Sequence, residues 1–126
     1  MYQRRKSWAI AILPDTDLSD VWRPPVDVLR TRTGWLLRFD LAGVQREDIR
    51  LTVQDRRIGV SGLRRNHIVE EGSSFYSMEI SWNRFERTIE LPCSLAAARL
   101  VMDLHNGILL VRVLLNGVTG EEEGNG

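Results

Sequence analysis

This chain is short of cysteine, histidine and lysine, and each shortage closes off a class of function. Cys93 is the only cysteine among 126 residues. No disulfide can form within the chain, and a lone thiol suits a reducing compartment, most simply the cytoplasm. The two histidines, His67 and His105, have no zinc-ligand spacing, and Cys93 is far from both in sequence, so no metal site is expected. Cys93 itself follows Pro92 and reads as a small buried or half-buried hydrophobe rather than a nucleophile. Charge of one sign is also missing: 17 basic residues balance 17 acidic ones, without the basic excess of a nucleic-acid binder. Lys6 is the single lysine, and arginine holds fixed planar ion pairs better, which suits structural use at strand interfaces. Long apolar runs are absent too. The stretch Trp8–Pro14 is too short to span a membrane and is followed by Asp15, Asp17 and Asp20. No glycine-rich phosphate loop appears, so no nucleotide and no cofactor are expected. Glu47 and Asp48 are adjacent, and neighbouring strand residues face opposite ways, so they read as turn and strand-start residues rather than an acid/base pair. Nothing here points to an enzyme.

What the chain does have is short alternating apolar segments separated by turn residues. Its length suits one domain, large enough to bury a core without a covalent staple. Residues 1–22 read as an arm, residues 23–115 as the folded domain, and residues 116–126, with Glu121-Glu122-Glu123 and several glycines, as a disordered acidic tail. Pro24 and Pro25 oppose a helix and suit an edge. Val26–Leu29 is predicted as a short edge strand and Thr33-Gly34 as a turn. In Trp35–Leu41, Leu37, Phe39 and Leu41 share one face by the period of two. Ile49–Val53 alternates cleanly, Asp55–Arg57 turns, and Ile58–Val60 returns. Residues 65–74 are polar, and a long strand is predicted from Phe75 to Leu91. Leu95–Arg99 is long enough for one helical turn only. Leu100, Met102 and Leu104 alternate; Asn106-Gly107 is a strong hairpin signal, and Ile108–Leu115 is the returning strand. Many short strands with almost no helix predict an all-β sandwich or barrel.

Four segments, in order, resemble the small heat-shock protein (α-crystallin) family. They are Asp40-Leu41-Ala42-Gly43-Val44 with Glu47-Asp48-Ile49; Gly62-Leu63-Arg64; Tyr76-Ser77-Met78-Glu79 with Phe85-Glu86-Arg87 and Leu91-Pro92; and Asn106-Gly107-Ile108-Leu109. The resemblance covers about Trp22 to Leu115. It implies an all-β, immunoglobulin-like sandwich, a bacterial-type α-crystallin domain, and ATP-independent holding of unfolding proteins in a stress response. It implies a homodimer made by strand exchange: residues 65–76 would swap onto a partner's Val26–Leu29, with Val26, Val28, Ile68, Val69, Phe75, Tyr76 and Arg87 at the interface, and higher oligomers are open. Arg87 would form an ion pair across that interface. It also implies an apolar groove for client proteins between two edge strands, lined by Ile49, Leu51 and Val53 on one side and Leu100, Met102 and Leu104 on the other.

The chain departs from the family pattern in places. Ala42 replaces a proline, and Ile80 and Asn83 replace the usual arginine and glycine. Met102 stands where alanine is typical, which would fill or reshape the groove. The Ile-x-Ile/Val motif expected after Leu115 is missing, while Ile10-Ala11-Ile12 in the arm has the same chemistry and is expected to dock in its place or to touch client or core. In or beside the arm, Trp8 and Trp22 are candidate client contacts, with simple packing the equal alternative; Trp35 and Trp82 are expected to pack in or against the sandwich. Neither nucleic acid nor membrane is an expected partner. The rival readings are a dedicated interaction module like the CS-domain co-chaperones, which lack the swap segment, and a non-chaperone assembly component.

Overall fold

A computed structural model describes residues 21–66 and 69–115. The described residues form seven strands and no α-helix: β1 (Val26–Arg30), β2 (Gly34–Asp40), β3 (Ile49–Gln54), β4 (Arg57–Leu63), β5 (Arg84–Glu90), β6 (Arg99–His105) and β7 (Ile108–Leu114), with one 3-10 turn at Arg46–Asp48. They make two antiparallel sheets, in the orders β1-β2-β7-β6 and β3-β4-β5. This is the predicted all-β immunoglobulin-like sandwich.

The alternation of side chains explains the packing. Leu37, Phe39 and Leu41 from the β2 segment meet Leu109, Val111 and Val113 of β7 on one inner face. Ile58 and Val60 of β4 and Phe85 of β5 supply the other, and all of these are essentially fully buried. Removing such side chains from water is the main favourable contribution, roughly 1.5–3 kcal/mol each. Leu91 and Leu95 close the connection from β5 to β6, where Ala98 N–H bonds back to Leu95 O in the single turn expected there. Cys93 is half-buried against the core, as anticipated.

Two hairpins set register. Asn106 and Gly107 both take positive φ, 52° and 81°, and join His105 to its partner Ile108. Mirror-image turns of this kind match the twist of the flanking strands. Asp55, at φ 62°, turns β3 into β4, and its carbonyl accepts from Leu95 N–H. Gly62 is required for closeness rather than flexibility: a Cβ there would collide with Asp48 O and the Phe85 ring.

Two expectations are corrected. The turn before β2 lies at Thr31–Thr33, closed by Thr31 N–H to Gly34 O at 2.9 Å, and Gly34 already belongs to the strand. The long strand expected from Phe75 to Leu91 is a strand only from Arg84 to Glu90. Residues 75–83 are not in a strand, and Phe75, Tyr76, Met78 and Ile80 are about half or fully exposed. Their β propensity has no neighbouring strand in this chain to pair with, and propensity without a partner does not make a sheet.

Candidate functional site

The sandwich has two margins, and they differ. At one margin lie β1 and β5. Here the lead-in to β1 runs beside β5: Trp22 N–H donates to Arg84 O (3.2 Å), and Glu86 N–H donates to Trp22 O (3.1 Å), a parallel bridge to Phe85. The Trp22 ring packs 5.4 Å from the Phe85 ring, and its Nε1–H donates to Asn83 O. Trp22 is thus half-buried and fastened to the domain, the packing alternative of the two that its position left open. Pro24 and Pro25 follow and have no N–H to offer a further strand.

Arg87 belongs to this margin as well. It shares the inner face of β5 with Phe85 and Ile89, so its side chain turns inward and Nη1 donates to Pro24 O at 3.0 Å. Its contact within this chain is thus with a backbone carbonyl.

At the other margin β3 and β6 face each other. Each hydrogen-bonds to a strand on one side only, β3 to β4 and β6 to β7. Ile49 and Leu51 on β3, and Leu100 and Leu104 on β6, are half-buried against the core. Val53 and Met102 lie on the same inner faces yet are 44% and 45% exposed, because the two sheets do not close over them. A hollow of about 110 Å³ opens between the strands, lined by Arg46, Ile49, Met102, Asp103, Leu104 and Leu109. All six residues predicted for the groove thus lie on two edge strands at one margin, and Met102 forms part of the wall without sealing it. Unpaired backbone beside apolar side chains is what an added strand requires.

The other predicted residues are placed as follows. Val26 is half-buried and Val28 41% exposed, on the edge strand β1, which pairs with β2. Val69, Phe75 and Tyr76 are exposed on the excursion between β4 and β5. Trp8, Ile10, Ile12, His67 and Ile68 lie outside the described residues. Asp48 pairs with Arg65 through two hydrogen bonds of 3.0 and 3.1 Å, and these bonds and the Asp48 charge hold the guanidinium above its ordinary pKa. Glu47 is exposed beside it, so the two acids do not act together. A larger recess of about 450 Å³ adjoins this pair, but charged side chains of both signs, among them Arg50, Arg84 and Glu86, dominate its wall, and it offers an apolar segment little. Among the described residues no cluster of His, Cys, Asp or Glu could hold a metal ion, and no helix is long and apolar enough to cross a membrane.

Sequence reasoning quoted Arg64 only within Gly62-Leu63-Arg64 and gave it no role of its own. It continues the inward row Ile58, Val60, Gly62 past the end of β4, so the period of two was the available signal. Its guanidinium lies 4.1 Å from the Trp22 ring centroid and 5.3 Å from that of Trp82.

Known proteins share this architecture and sequence. Spore protein SP21 of Stigmatella aurantiaca is 35% identical over 86 residues, which is 68% of this chain and 51% of that protein. The 17.6 kDa class I heat shock protein 3 of Arabidopsis thaliana is 28% identical over 105 residues, 82% of this chain and 67% of that one. The chain spans about half to two thirds of the length of such relatives. Among solved structures, HSP18.5 from E. histolytica superposes with a TM-score of 0.62 at 26% identity, covering 79% of this chain and 97% of that one. Heat shock protein 16.0 from Schizosaccharomyces pombe gives 0.64 at 25% identity, covering 77% and 90%. The pattern of the Hsp20/alpha crystallin family matches residues 27–123, from the second residue of β1 past the end of β7. With the sandwich, the two edge strands and the Asn106-Gly107 hairpin all in register with that match, this chain belongs to the Hsp20/alpha-crystallin family.

Proposed function

We propose that this protein is a holdase chaperone of the cytoplasm that keeps partly unfolded proteins soluble without ATP. The observation that carries this reading is the open margin: two unpaired strand edges flank a half-exposed apolar wall of Ile49, Leu51, Val53, Leu100, Met102 and Leu104. An unfolding protein presents extended apolar segments with unsatisfied backbone groups. Such a segment gains hydrogen bonds from the β3 or β6 edge and buries side chains against the wall, without needing a particular sequence. No hydrolysis is required, because binding is many weak contacts in parallel.

The working unit is a homodimer. The excursion after β4 carries exposed Val69, Phe75, Tyr76, Met78 and Ile80, which a lone chain leaves in water, and β1 has one free edge. Passing that segment to the β1 edge of a second copy covers both at once. The arm adds to the assembly through Ile10-Ala11-Ile12, whose two β-branched side chains fall on one face of an extended segment and fit the same wall as a client.

Light scattering of a heat-labile client, with this protein and without nucleotide, tests the reading. Suppressed scattering near stoichiometric ratios is the expected result. Unchanged scattering from folded, soluble protein would reject general holding in favour of one dedicated partner. Deleting residues 1–13 in the same assay should leave the dimer intact and expose more groove; an unchanged oligomer mass and unchanged holding would reject the docked arm.

A further inference from the structure

The excursion between β4 and β5 leaves and rejoins the sandwich at one point, and a single side chain holds that point together. Arg64 is the residue at which it leaves. Its backbone N–H donates to Asn83 O at 3.0 Å, closing the root of the excursion. Its Nε donates to Ser81 O at 2.9 Å, on the returning side, and Nη1 donates to Ala42 O at 3.0 Å, in the turn that follows β2. The guanidinium plane is then covered by the Trp22 ring at 4.1 Å, with Trp82 at 5.3 Å. Trp22 in turn donates to Asn83 O, the same carbonyl that receives the Arg64 amide.

Trp22 is also the last residue of the arm as read from the sequence, where the arm meets the domain. The root of the excursion and the root of the arm therefore share one arginine. Burial pulls the Arg64 pKa below its ordinary value, with the Asp40 charge opposing, so the cation is partly desolvated where it stacks. A desolvated cation gains more from an aromatic face than an exposed one does. Taking Trp22 away returns water to the guanidinium and weakens its two side-chain hydrogen bonds at the same time.

We propose that Arg64, covered by Trp22, is a clasp through which displacement of the arm loosens the root of the 65–82 segment. Anything that pulls on the arm, a bound client included, then frees the segment that joins two copies. This rests on the reading of that segment as the exchanged element, while the clasp itself is a property of one chain. Two elements that share a contact are coupled only if losing one alters the free energy of the other, which is a measurable quantity.

Amide hydrogen exchange of the full chain tests it, using Trp22→Leu, Arg64→Lys and the double variant. Leucine keeps apolar bulk against Phe85 without the ring; lysine keeps the charge without the planar fork. In Trp22→Leu the Arg64 amide should exchange about tenfold faster, the scale of a partly desolvated cation–π contact, while the Val60 and Val111 amides stay unchanged. The double variant should exchange no faster than the faster single one, because both remove the same clasp. An Arg64 amide unaffected by Trp22→Leu overturns the proposal, and so does multiplicative acceleration in the double variant. Acceleration spread evenly over β4, β5 and β7 overturns it as well, since that is loss of the whole fold. If Trp22→Leu does not fold, Arg64→Lys alone decides: faster exchange at the Glu86 amide, which donates to Trp22 O, supports the clasp, and no change rejects it. The rate at which labelled subunits mix is read separately. A faster Arg64 amide with unchanged mixing would leave the clasp standing and reject the exchange reading.

Discussion

β5 and β6 are both outermost strands of seven residues, and the molecule treats their free edges in opposite ways. β5 is shielded by the chain that leads into β1. Trp22 bonds on both sides of Phe85, Arg87 reaches back to Pro24 O, and two prolines follow that cannot extend the pairing. β6 has β7 on one side and no described strand on the other, and it faces β3, which is in the same condition. Edge exposure is therefore not a uniform hazard of the fold. Among the described residues it is removed at β5, where a neighbouring segment passes by, and left at β3 and β6, where none does. Binding capacity is located by topology, with ordinary aliphatic side chains, and needs no unusual residue.

The contrast can be broken at the shielded margin first. Phe85→Ala removes a buried ring that packs on Trp22 and lies under Gly62. A loss of about 3–5 kcal/mol is expected, read from the urea unfolding midpoint, with faster exchange at the Glu86 amide. A loss below about 1 kcal/mol, the size of an ordinary surface change, would show that the shielded edge does not depend on the ring.

A smaller effect is expected at the hairpin that holds β6 in place. In Gly107→Ala the new Cβ would sit 3.0 Å from Ala42 Cα, on a residue at φ 81°. About 1–3 kcal/mol is expected from thermal or urea unfolding. A neutral result would mean that the Ala42 turn gives way, so that the open margin is less rigid than it looks.

The least effect on stability should come from the open margin itself. Val53→Asp with Met102→Asp places charges on half-exposed inner positions, with a change within about 0.5 kcal/mol each, while inward charges on edges discourage strand addition. Suppression of client scattering should fall, with the unfolding midpoint little moved. Full suppression retained by that double variant would shift the client site away from the β3/β6 margin.

Much of this was legible because it is local. The face shared by Leu37, Phe39 and Leu41 follows from the period of two, and it is the buried face. Asn106-Gly107 makes the hairpin that this pair encodes. Ile49, Leu51, Leu100 and Leu104 were legible as the apolar sides of two strands, and the family resemblance supplied their pairing as a groove. Phe75–Asn83 misled because a β-prone segment needs a partner strand, and none in this chain is beside it. Trp22 was left open between packing and client contact because its neighbours in sequence look like arm, whereas its partners Asn83 and Phe85 are in contact only after folding.

The sequence by itself determined which residues of the core strands face inward, the Asn106-Gly107 hairpin and an all-β fold, since side-chain alternation and turn chemistry act over a few residues. Only the tertiary structure decided that Ile49 and Met102 border one hollow, that Trp22 shields β5, and that Arg64 joins the roots of arm and excursion. Those contacts link positions far apart in sequence, 61 residues in the case of Trp22 and Asn83. Closing such loops is unfavourable until the core on both sides has formed, so the decision rests with the packed whole and not with any local segment.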